Sequence, residues 1–255
     1  YKILKSKNKN LSYCPERIIQ GKSLIELPKL PQIVSGFNDK AIRNSAELFK
    51  KISKKIIKTK VLEAELIKLF SNAYRYIHFS IANQFYKICE DLNINFNLIR
   101  KNMIDSYERN KNIPTQGFTA GPCLLKDTMQ LASFCKSDFQ LGYAAMHVNE
   151  DLPINLIKNI KNLKKQKIGV LGLAFKAETD DTRDSLSIKL INYLKKRKIK
   201  FFTNDPYVKS KYNREIKDLI KESNIIIIAT PHNIYKKIKI PNSKTLIDIW
   251  NIIKK

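Results

Sequence analysis

The sequence predicts an α/β protein in which an all-helical central region, expected to support dimerisation, precedes a doubly wound, Rossmann-like domain with a parallel sheet. From about residue 38 to residue 165, apolar residues recur at spacings of three and four, the period of a helix that buries one face. At Lys167 the period changes, and short apolar runs begin to alternate with amphipathic segments, as strands and helices do in such a domain. The predicted regions are therefore 1–37, 38–165 and 166–255.

The first region contains short apolar runs that prolines and glycines interrupt, among them the strand-like Gln32-Ile-Val-Ser35. Such interruptions are typical of short strands and the loops that join them. We therefore expect residues 1–37 to form the edge of a sheet with its loops.

One long helix is predicted at about residues 61–92, because its apolar residues form a continuous stripe: Leu66, Phe70, Ala73, Ile77, Ile81, Phe85, Ile88 and Leu92. Its length of ~45 Å, at the usual rise per residue, exceeds what a small domain needs to cover itself. The stripe either packs against a second copy of the chain in a homodimer or lies buried within one subunit. The pattern alone does not decide between these two arrangements.

The last region is predicted to alternate strands with helices. Lys167-Ile-Gly-Val-Leu-Gly-Leu-Ala-Phe175 is expected to be a strand entering a glycine turn, and Ser185 to Lys198 an amphipathic helix. Further strands are expected from Phe201, from Asn224 and from Leu246. Ligands of doubly wound sheets bind beyond the carboxyl ends of the strands. Four polar residues fall near those ends: Lys176, Arg183, Asp205 and His232.

The composition argues against several classes of protein. With 255 residues, 43% of them hydrophobic, the chain can bury a core. No run of ~18 apolar residues could span a bilayer and no signal sequence is recognisable, so we expect a cytoplasmic protein without a membrane partner. The formal charge of +25 would attract polyanions, but the lysines are scattered through every segment, so specific nucleic-acid binding is not expected. The four cysteines lack metal-ligand spacing, which predicts reduced thiols and no metal site.

A cysteine separates a Gly/Pro turn from a helical run in the stretch Gly117-Phe-Thr-Ala-Gly-Pro-Cys-Leu-Leu-Lys-Asp-Thr-Met-Gln-Leu-Ala132. Cys123 precedes a helix expected from Thr128 onward, and both the positive end of that helix and the charge of Lys126 favour a reactive thiolate. Asp127 is placed to serve as a base or to position a water molecule. The alternative is an inert thiol packed at a helix start, since cysteines are commonly buried.

A cation and an amide are expected on one face of the long helix. Lys68 and Asn72 are four residues apart, so their side chains point the same way and could stabilise a developing oxyanion. An asparagine in the apolar middle of a helix needs such a reason. The alternative is a pair of solvated surface residues.

The glycine turn at Gly169-Val-Leu-Gly172 departs from the G-x-G-x-x-G pattern, so it is weak evidence for a dinucleotide site. Lys176 and Arg183, which follow it, are better evidence for a nucleotide-type domain, because ammonium and guanidinium groups bind phosphate oxygens. They could equally be two surface cations of a very basic protein.

Five motifs follow one another along nearly the whole chain: Tyr13-Cys-Pro-Glu-Arg-Ile-Ile-Gln-Gly-Lys22, Glu63-Ala-Glu-Leu-Ile-Lys-Leu-Phe-Ser-Asn72, Gly117 to Asp127, Leu171-Gly-Leu-Ala-Phe-Lys-Ala-Glu-Thr-Asp-Asp-Thr-Arg-Asp-Ser185, and Asp205-Pro-Tyr207. Together they resemble the nucleotide-sugar dehydrogenase family, which includes the UDP-glucose, GDP-mannose and UDP-N-acetylmannosamine 6-dehydrogenases. Enzymes of this family oxidise C6 of a sugar twice with NAD. The resemblance therefore implies an oxidoreductase that supplies uronic acids for polysaccharide biosynthesis.

The resemblance also implies a role for each candidate site residue. Cys123 is similar to the family's nucleophile, which captures the C6 aldehyde as a thiohemiacetal and later carries a thioester. Glu16 is similar to the glutamate that assists water attack and Asp127 to the aspartate that orients the water. Lys68 and Asn72 resemble the oxyanion stabilisers.

The binding residues follow from the same resemblance. Lys176 resembles the lysine that contacts the nucleotide-sugar, and we expect Lys126, Gly117 and Gly121 to join it in substrate binding. Arg183 resembles the arginine that reaches the NAD phosphates.

The family begins with a dinucleotide-binding domain that carries G-x-G-x-x-G, and this sequence contains no such motif. Residues 1–37 are therefore expected to be the tail end of that domain, with the main NAD site outside this chain.

The substrate signals point in two directions. Cys123-x-x-Lys-Asp127 resembles the branch that oxidises UDP-glucose. Cys14-Pro-Glu-Arg17, the absence of a glutamate at Gln20, and Asp248-Ile-Trp-Asn251 resemble the branch that oxidises UDP-N-acetylhexosamines, which we favour. Two alternatives to a complete enzyme remain: a non-catalytic, dimerising UDP-sugar-binding remnant, and one subunit of a split enzyme.

Overall fold

The computed structural model describes residues 10–119, 121–135 and 138–253. Within the chain there are two compact units, the first ending at Asn72 and the second beginning at Ala73. The division falls inside the long helix.

The first unit contains a small sheet with one covering helix. Its elements are β1 (Ser12–Tyr13), α1 (Ser23–Glu26), β2 (Gln32–Gly36), α2 (Asp39–Lys50) and β3 (Ile56–Thr59). The strand order is β1-β2-β3, with β1 antiparallel and β3 parallel to β2. Ile33 and Val34 of β2 are buried, and the Asn38 side chain caps α2 by accepting a hydrogen bond from the Ala41 amide at 2.8 Å.

Strand β3 lies inside the region that the sequence predicts to be helical. It has four residues, and its central residues are exposed, so it shows neither the alternation nor the apolar run that marks a strand. Its pairing with β2 is what makes it a strand. The predicted domain boundaries at 37/38 and 165/166 differ from the 72/73 division between the compact units, and they stay predictions.

Helix α3 (Val61–Asp91) confirms the long helix predicted at 61–92. Within the second unit, one of its faces enters the core through Ala73, Tyr76, Ala82, Tyr86 and Cys89. A second apolar face stays exposed, with Tyr74, Ile81, Phe85, Ile88 and Leu92 each between 38% and 62% accessible. The single stripe read from the sequence therefore mixes residues from two faces, because the core side is completed by residues outside that stripe.

The second unit continues with helices and then a parallel sheet. Its further elements are α4 (Phe96–Ile104), α5 (Leu124–Phe134), α6 (Gln140–Lys158), β4 (Lys167–Leu171), α7 (Leu186–Lys196), β5 (Lys200–Asn204), α8 (Ile216–Glu222), β6 (Ile225–Ile228) and β7 (Thr245–Asp248). The strand order is β5-β4-β6-β7, and every adjacent pair is parallel.

Helices cover both faces of this sheet. Leu190 and Leu194 of α7 are buried in one core cluster, while Leu219 of α8 is buried in the other. All four isoleucines of β6 are buried, as the sequence predicts for a strand covered on both faces. The chain leaves β4 toward β5 on one side and returns to β6 on the other, so the order reverses at β4 and β6. This is the doubly wound fold that the sequence predicts, and ligands bind at such reversals.

Packing accounts for Gly169 in β4 and for Gly172, which directly follows that strand. A Cβ atom at Gly169 would lie 2.4 Å from the Leu219 side chain, and one at Gly172 would lie 2.3 Å from Thr230. Gly172 also has φ +97°, which favours glycine. The close approach of neighbouring elements thus explains both glycines without a dinucleotide.

Of the helices in the described parts of the chain, none combines the length and the apolar character needed to cross a bilayer.

Candidate active site

Cys123 occupies the N-cap position of α5, and its side chain is exposed. The helix begins at Leu124, earlier than the sequence predicts, and the Asp127 amide donates to the Cys123 carbonyl at 2.9 Å. The thiol therefore lies directly at the positive end of the helix, where the partial charges of free amide groups favour an anion.

Asp127 and Lys126 form an ion pair in the first turn of α5. Lys126 Nζ lies 3.3 Å from Asp127 Oδ1, and the lysine side chain is 64% exposed whereas that of the aspartate is 4% exposed. Since Asp127 is one helical turn after Cys123, its carboxylate lies on the cysteine side of the helix. The positive charge of Lys126 therefore interacts with the Asp127 carboxylate and not with the thiol alone.

The loop before Cys123 is anchored by a buried asparagine of α3. Asn83 accepts a hydrogen bond from the Gly117 amide at 2.9 Å and donates one to the Gly117 carbonyl at 3.0 Å. The Asn83 side-chain nitrogen also donates to the side-chain oxygen of Asn149 in α6 at 2.9 Å. Asn149 in turn donates to the Tyr76 carbonyl at 3.2 Å. These asparagines are at most 1% exposed, so the network is shielded from water.

Both ends of the loop press against the C-terminal sheet. A Cβ atom at Gly117 would lie 2.3 Å from the ring of Trp250, which follows β7, and one at Gly121 would lie 2.7 Å from the ring of Phe175, which follows β4. These glycines have φ values of +154° and +106°. Any side chain at Gly121 would therefore strain the backbone and displace Phe175. Ala120, between them, lies outside the described residues.

The segment leading into the loop is tied to α4. The Arg100 guanidinium donates to the Ile113 carbonyl at 2.7 Å and to the Pro114 carbonyl at 2.9 Å. Gln116 donates to Asn97 at 3.2 Å. Asn83, Asn149 and Arg100 are not among the residues predicted from the sequence. The signal that could have found Asn83 is the same as that noted for Asn72, an amide in the apolar middle of a helix.

Arg183 lies in the β4–α7 loop, and its side chain is 69% exposed. Its guanidinium donates to Asp181 through Nη2 at 2.6 Å and through Nε at 3.0 Å. These hydrogen bonds and the Asp181 charge raise the pKa of Arg183, and a thiolate at Cys123 would act in the same direction. The thiol and the guanidinium are therefore within electrostatic reach of each other.

Asp205 directly follows β5, and its carboxylate holds the start of the β4–α7 loop by hydrogen bonds. Its Oδ2 accepts hydrogen bonds from the amides of Leu173 at 2.6 Å and Ala174 at 3.1 Å, and lies 3.2 Å from His232 Nε2. Burial alone would raise the pKa of Asp205, but the hydrogen bonds from His232 and from three backbone amides lower it to about 2. The sequence prediction that Asp205 and His232 fall near the strand ends is confirmed.

The predicted site residues are divided between the two compact units. Those of the second unit gather around the cysteine loop and the β4–α7 loop packed against it: Cys123, Lys126, Asp127, Gly117, Gly121, Lys176 and Arg183. Lys176 lies next to Phe175 and is half-buried. Glu16, Lys68 and Asn72 belong to the first unit, so their approach to Cys123 stays a prediction.

The three residues of the first unit have defined surroundings of their own. Glu16 is exposed, and its carboxylate accepts a hydrogen bond from the Ile18 amide. Lys68 and Asn72 are half-buried and lie one turn apart on α3, as the sequence predicts.

A separate cleft of about 580 Å³ opens at the end of β5. Asn204, Arg214 and Glu215 are among its lining residues, and Cys123 is not. Asp205 also lines this cleft, and its carboxylate accepts the hydrogen bonds described above.

The chain matches two models of one protein family. Residues 62–151 match the central domain of the UDP-glucose/GDP-mannose dehydrogenase family, and residues 169–255 match the UDP binding domain of the same family. The matched segments include the cysteine loop, the last three residues of β4 and all of β5, β6 and β7. The chain therefore belongs to the UDP-glucose/GDP-mannose dehydrogenase family.

Relatives that match most of this chain include two UDP-N-acetyl-D-mannosamine dehydrogenases. The UDP-N-acetyl-D-mannosamine dehydrogenase of Methanococcus vannielii is 32% identical over 90% of this chain and 55% of its own length. The enzyme of the same name from Pyrococcus horikoshii is 31% identical over 96% of this chain and 62% of its own length. The chain thus spans between 55% and 62% of the length of these relatives.

Solved structures agree on the fold. The UDP-D-ManNAc dehydrogenase of Pyrococcus horikoshii superposes with a TM-score of 0.86 at 29% identity, over 96% of this chain and 62% of that chain. The native UDP-N-acetyl-mannosamine dehydrogenase Cap5O of Staphylococcus aureus gives 0.82 at 26% identity, over 96% and 60%.

The Asn83 anchor can be tested by Asn83→Ala. The substitution leaves the buried Gly117 amide without its acceptor and removes one donor to the Gly117 carbonyl, which keeps its bond from the Thr119 amide, so we expect the free energy of unfolding to fall by about 2 kcal/mol. Urea unfolding followed by circular dichroism measures this change. The matched control is Gln84→Ala on the same helix, where the half-buried side chain makes no hydrogen bond to another described residue. A loss for Asn83→Ala no larger than the control's would contradict the anchor.

Proposed function

We propose that this chain carries the nucleophile and the substrate-binding half of an NAD-dependent nucleotide-sugar 6-dehydrogenase. The reaction is the two-step oxidation of the C6 hydroxyl of a UDP-sugar to a uronic acid. The observation that carries the proposal is the exposed Cys123 thiol at the start of α5, in a loop packed against the β4–α7 loop of a family UDP-binding domain.

The first role of Cys123 is to hold the aldehyde. Its thiolate adds to the C6 carbonyl carbon, forming a C–S bond, while the carbonyl oxygen takes up a proton to complete a thiohemiacetal. NAD, when bound, would accept one hydride in each of the two oxidations. Lys68 and Asn72 would stabilise the negative charge that develops on the C6 oxygen.

The second role of Cys123 is to act as the leaving group when the thioester is hydrolysed. The second oxidation produces a thioester on the sulfur, and water attacks its carbonyl carbon, so that the C–S bond breaks and the thiolate is released with the uronic acid. Asp127 would orient the attacking water from its buried position one turn after the thiol. Glu16 would assist the same attack.

Arg183 is the residue of this chain that would contact the NAD phosphates. Its guanidinium uses Nε and Nη2 for Asp181, and Nη1 has no bond to another described residue. Because the side chain is largely exposed, Nη1 can donate to a phosphate oxygen without breaking the Asp181 pair. The Arg183 side chain therefore fits a phosphate group of NAD.

The substrate that we propose is a UDP-N-acetylhexosamine rather than UDP-glucose. Three relatives at 30–32% identity, from Methanococcus vannielii, Pyrococcus horikoshii and Methanococcus maripaludis, are UDP-N-acetyl-D-mannosamine dehydrogenases, which agrees with the motifs at Cys14 and Asp248. Lys176 would contact the nucleotide, while Lys126, Gly117 and Gly121 would contact the substrate along the cysteine loop.

The nucleophile is tested by Cys123→Ala in the protein expressed from its complete gene. We expect uronate formation to fall at least ~10³-fold, because no other thiol can form the thioester. Production of the uronic acid is measured by mass spectrometry with NAD and UDP-N-acetylmannosamine. Cys135→Ala, at the other end of α5, is the matched control and should retain turnover.

Retained turnover in Cys123→Ala would contradict the catalytic role. UDP-sugar binding without turnover in the unsubstituted protein would favour the non-catalytic binding module.

We further propose that the chain forms a homodimer through α3. Its exposed apolar face extends from Tyr74 to Leu92, roughly 27 Å along the helix axis. A contiguous apolar strip of this length on a helix marks an interaction surface. A second copy of the chain suits it, because identical strips are complementary across a two-fold axis.

The dimer is tested by Phe85→Glu, which places a charge in the middle of the exposed face of α3. We expect the sedimentation mass to fall from twice 29.6 kDa to the monomer value, since an unpaired carboxylate is costly to bury. Leu48→Glu is the matched control, because Leu48 is equally apolar and 59% exposed but lies on α2. A dimer that persists in Phe85→Glu, or a monomeric unsubstituted chain, would contradict the proposal.

A further inference from the structure

The β4–α7 loop, residues 172–185, has a backbone that needs external support. It contains three residues with positive φ: Gly172 at +97°, Glu178 at +58° and Asp184 at +51°. Residues other than glycine adopt this conformation at a cost in free energy, so the surrounding structure must hold them there. The loop carries Lys176 between its first and second such positions.

The root of the loop is tied to the ends of β5 and β6. As described above, Asp205 accepts hydrogen bonds from the amides of Leu173 and Ala174. From the β6 side, the Thr230 hydroxyl donates to the Ala174 carbonyl at 2.6 Å. All of these groups are buried, so water does not compete with the bonds.

The tip of the loop is tied at Glu178. The Glu178 amide donates to His232 Nδ1 at 3.0 Å. Its carboxylate accepts hydrogen bonds from the Asn233 amide at 2.8 Å and from the Tyr207 hydroxyl at 2.7 Å. Three partners therefore fix one left-handed residue, and Lys176 lies between this tip and the anchored root.

His232 joins the two anchors through a single ring. The side chain is fully buried, and the rings of Tyr207 and Tyr235 lie 5.3 Å and 5.6 Å from it. Because Nδ1 accepts from the Glu178 amide, the hydrogen-bond pattern assigns the proton to Nε2, which then donates to Asp205. A neutral imidazole in this tautomer satisfies both neighbours at once.

We propose that His232 is a positioning residue for nucleotide binding. It does not touch the substrate; it holds the tip of the β4–α7 loop through the Glu178 amide and thereby sets the position of Lys176. The inference rests on the proposed function, which assigns Lys176 to the nucleotide.

Two substitutions at His232 separate its two hydrogen bonds. In His232→Asn, the side-chain oxygen replaces Nδ1 and can still accept from the Glu178 amide. In His232→Gln, the amide nitrogen replaces Nε2 and can still donate to Asp205, but nothing accepts from Glu178. The matched control is Leu219→Ala, which creates a cavity in the same domain, in the core cluster that α8 forms with the sheet.

The binding probe is UDP, titrated calorimetrically into this chain. His232→Gln is expected to weaken UDP binding about tenfold or more, whereas His232→Asn and Leu219→Ala should stay within about threefold of the unsubstituted chain. Hydrogen exchange without ligand provides a second readout. The Glu178 amide should exchange faster in His232→Gln than in His232→Asn, because only the former removes its acceptor.

Equal weakening by the two His232 variants, or weakening by Leu219→Ala as large as that by His232→Gln, would overturn the positioning role. So would UDP binding that neither His232 variant changes. Absence of UDP binding by the unsubstituted chain would overturn the proposed function and this role together.

Discussion

The reciprocal hydrogen bonds between Asn83 and Gly117 are the interaction on which the rest of the site depends. They fix the start of the cysteine loop to a buried face of α3, where no water can replace a lost partner. The loop then has little freedom, because Trp250 and Phe175 close over its two glycines. The position of the Cys123 thiol at the first turn of α5 follows from these constraints.

A buried carboxylate and an exposed guanidinium both lie near the carboxyl edge of the parallel sheet, and they differ in how their charges are stabilised. On its buried side, the Asp205 carboxylate receives hydrogen bonds from backbone amides and from His232, which outweigh the cost of removing a charge from water. On its exposed side, Arg183 keeps a charge within reach of Cys123. The buried network holds the loop in its conformation, and the Arg183 side chain of the same loop is largely exposed.

Much of the architecture could be predicted from the sequence, because a regular spacing or an unbroken run of apolar residues indicates a helix or a strand that packs against other elements. Helix α3 was found from its apolar period, although part of that stripe is exposed, and the buried strand β6 was found from its run of isoleucines. Strand β3 could not be found, because four residues with exposed centres carry no period, and only pairing with β2 makes them a strand.

The candidate site was predictable in its chemistry and not in its support. Cys123 and Arg183 are recognisable as residue types in a motif. Asn83 bonds to the backbone of Gly117, and the Glu178 amide bonds to His232. These partners are 34 or more residues away along the chain, so no local sequence pattern predicts them. The apolar surroundings within α3 mark Asn83 as unusual, but its partner at Gly117 is known only from the fold.

The central claim is that Cys123 is an accessible thiol beside a UDP-sugar site, and differential alkylation tests it most directly. Iodoacetamide modification of the four cysteines is followed by peptide mass spectrometry, with and without a UDP-N-acetylhexosamine at about ten times its dissociation constant. We expect Cys123 to react faster than the half-buried Cys14 and Cys135 and the buried Cys89, and the nucleotide-sugar to slow it about tenfold while leaving Cys135 unchanged. A Cys123 that reacts no faster than Cys135, or that the nucleotide-sugar does not protect, would contradict the account.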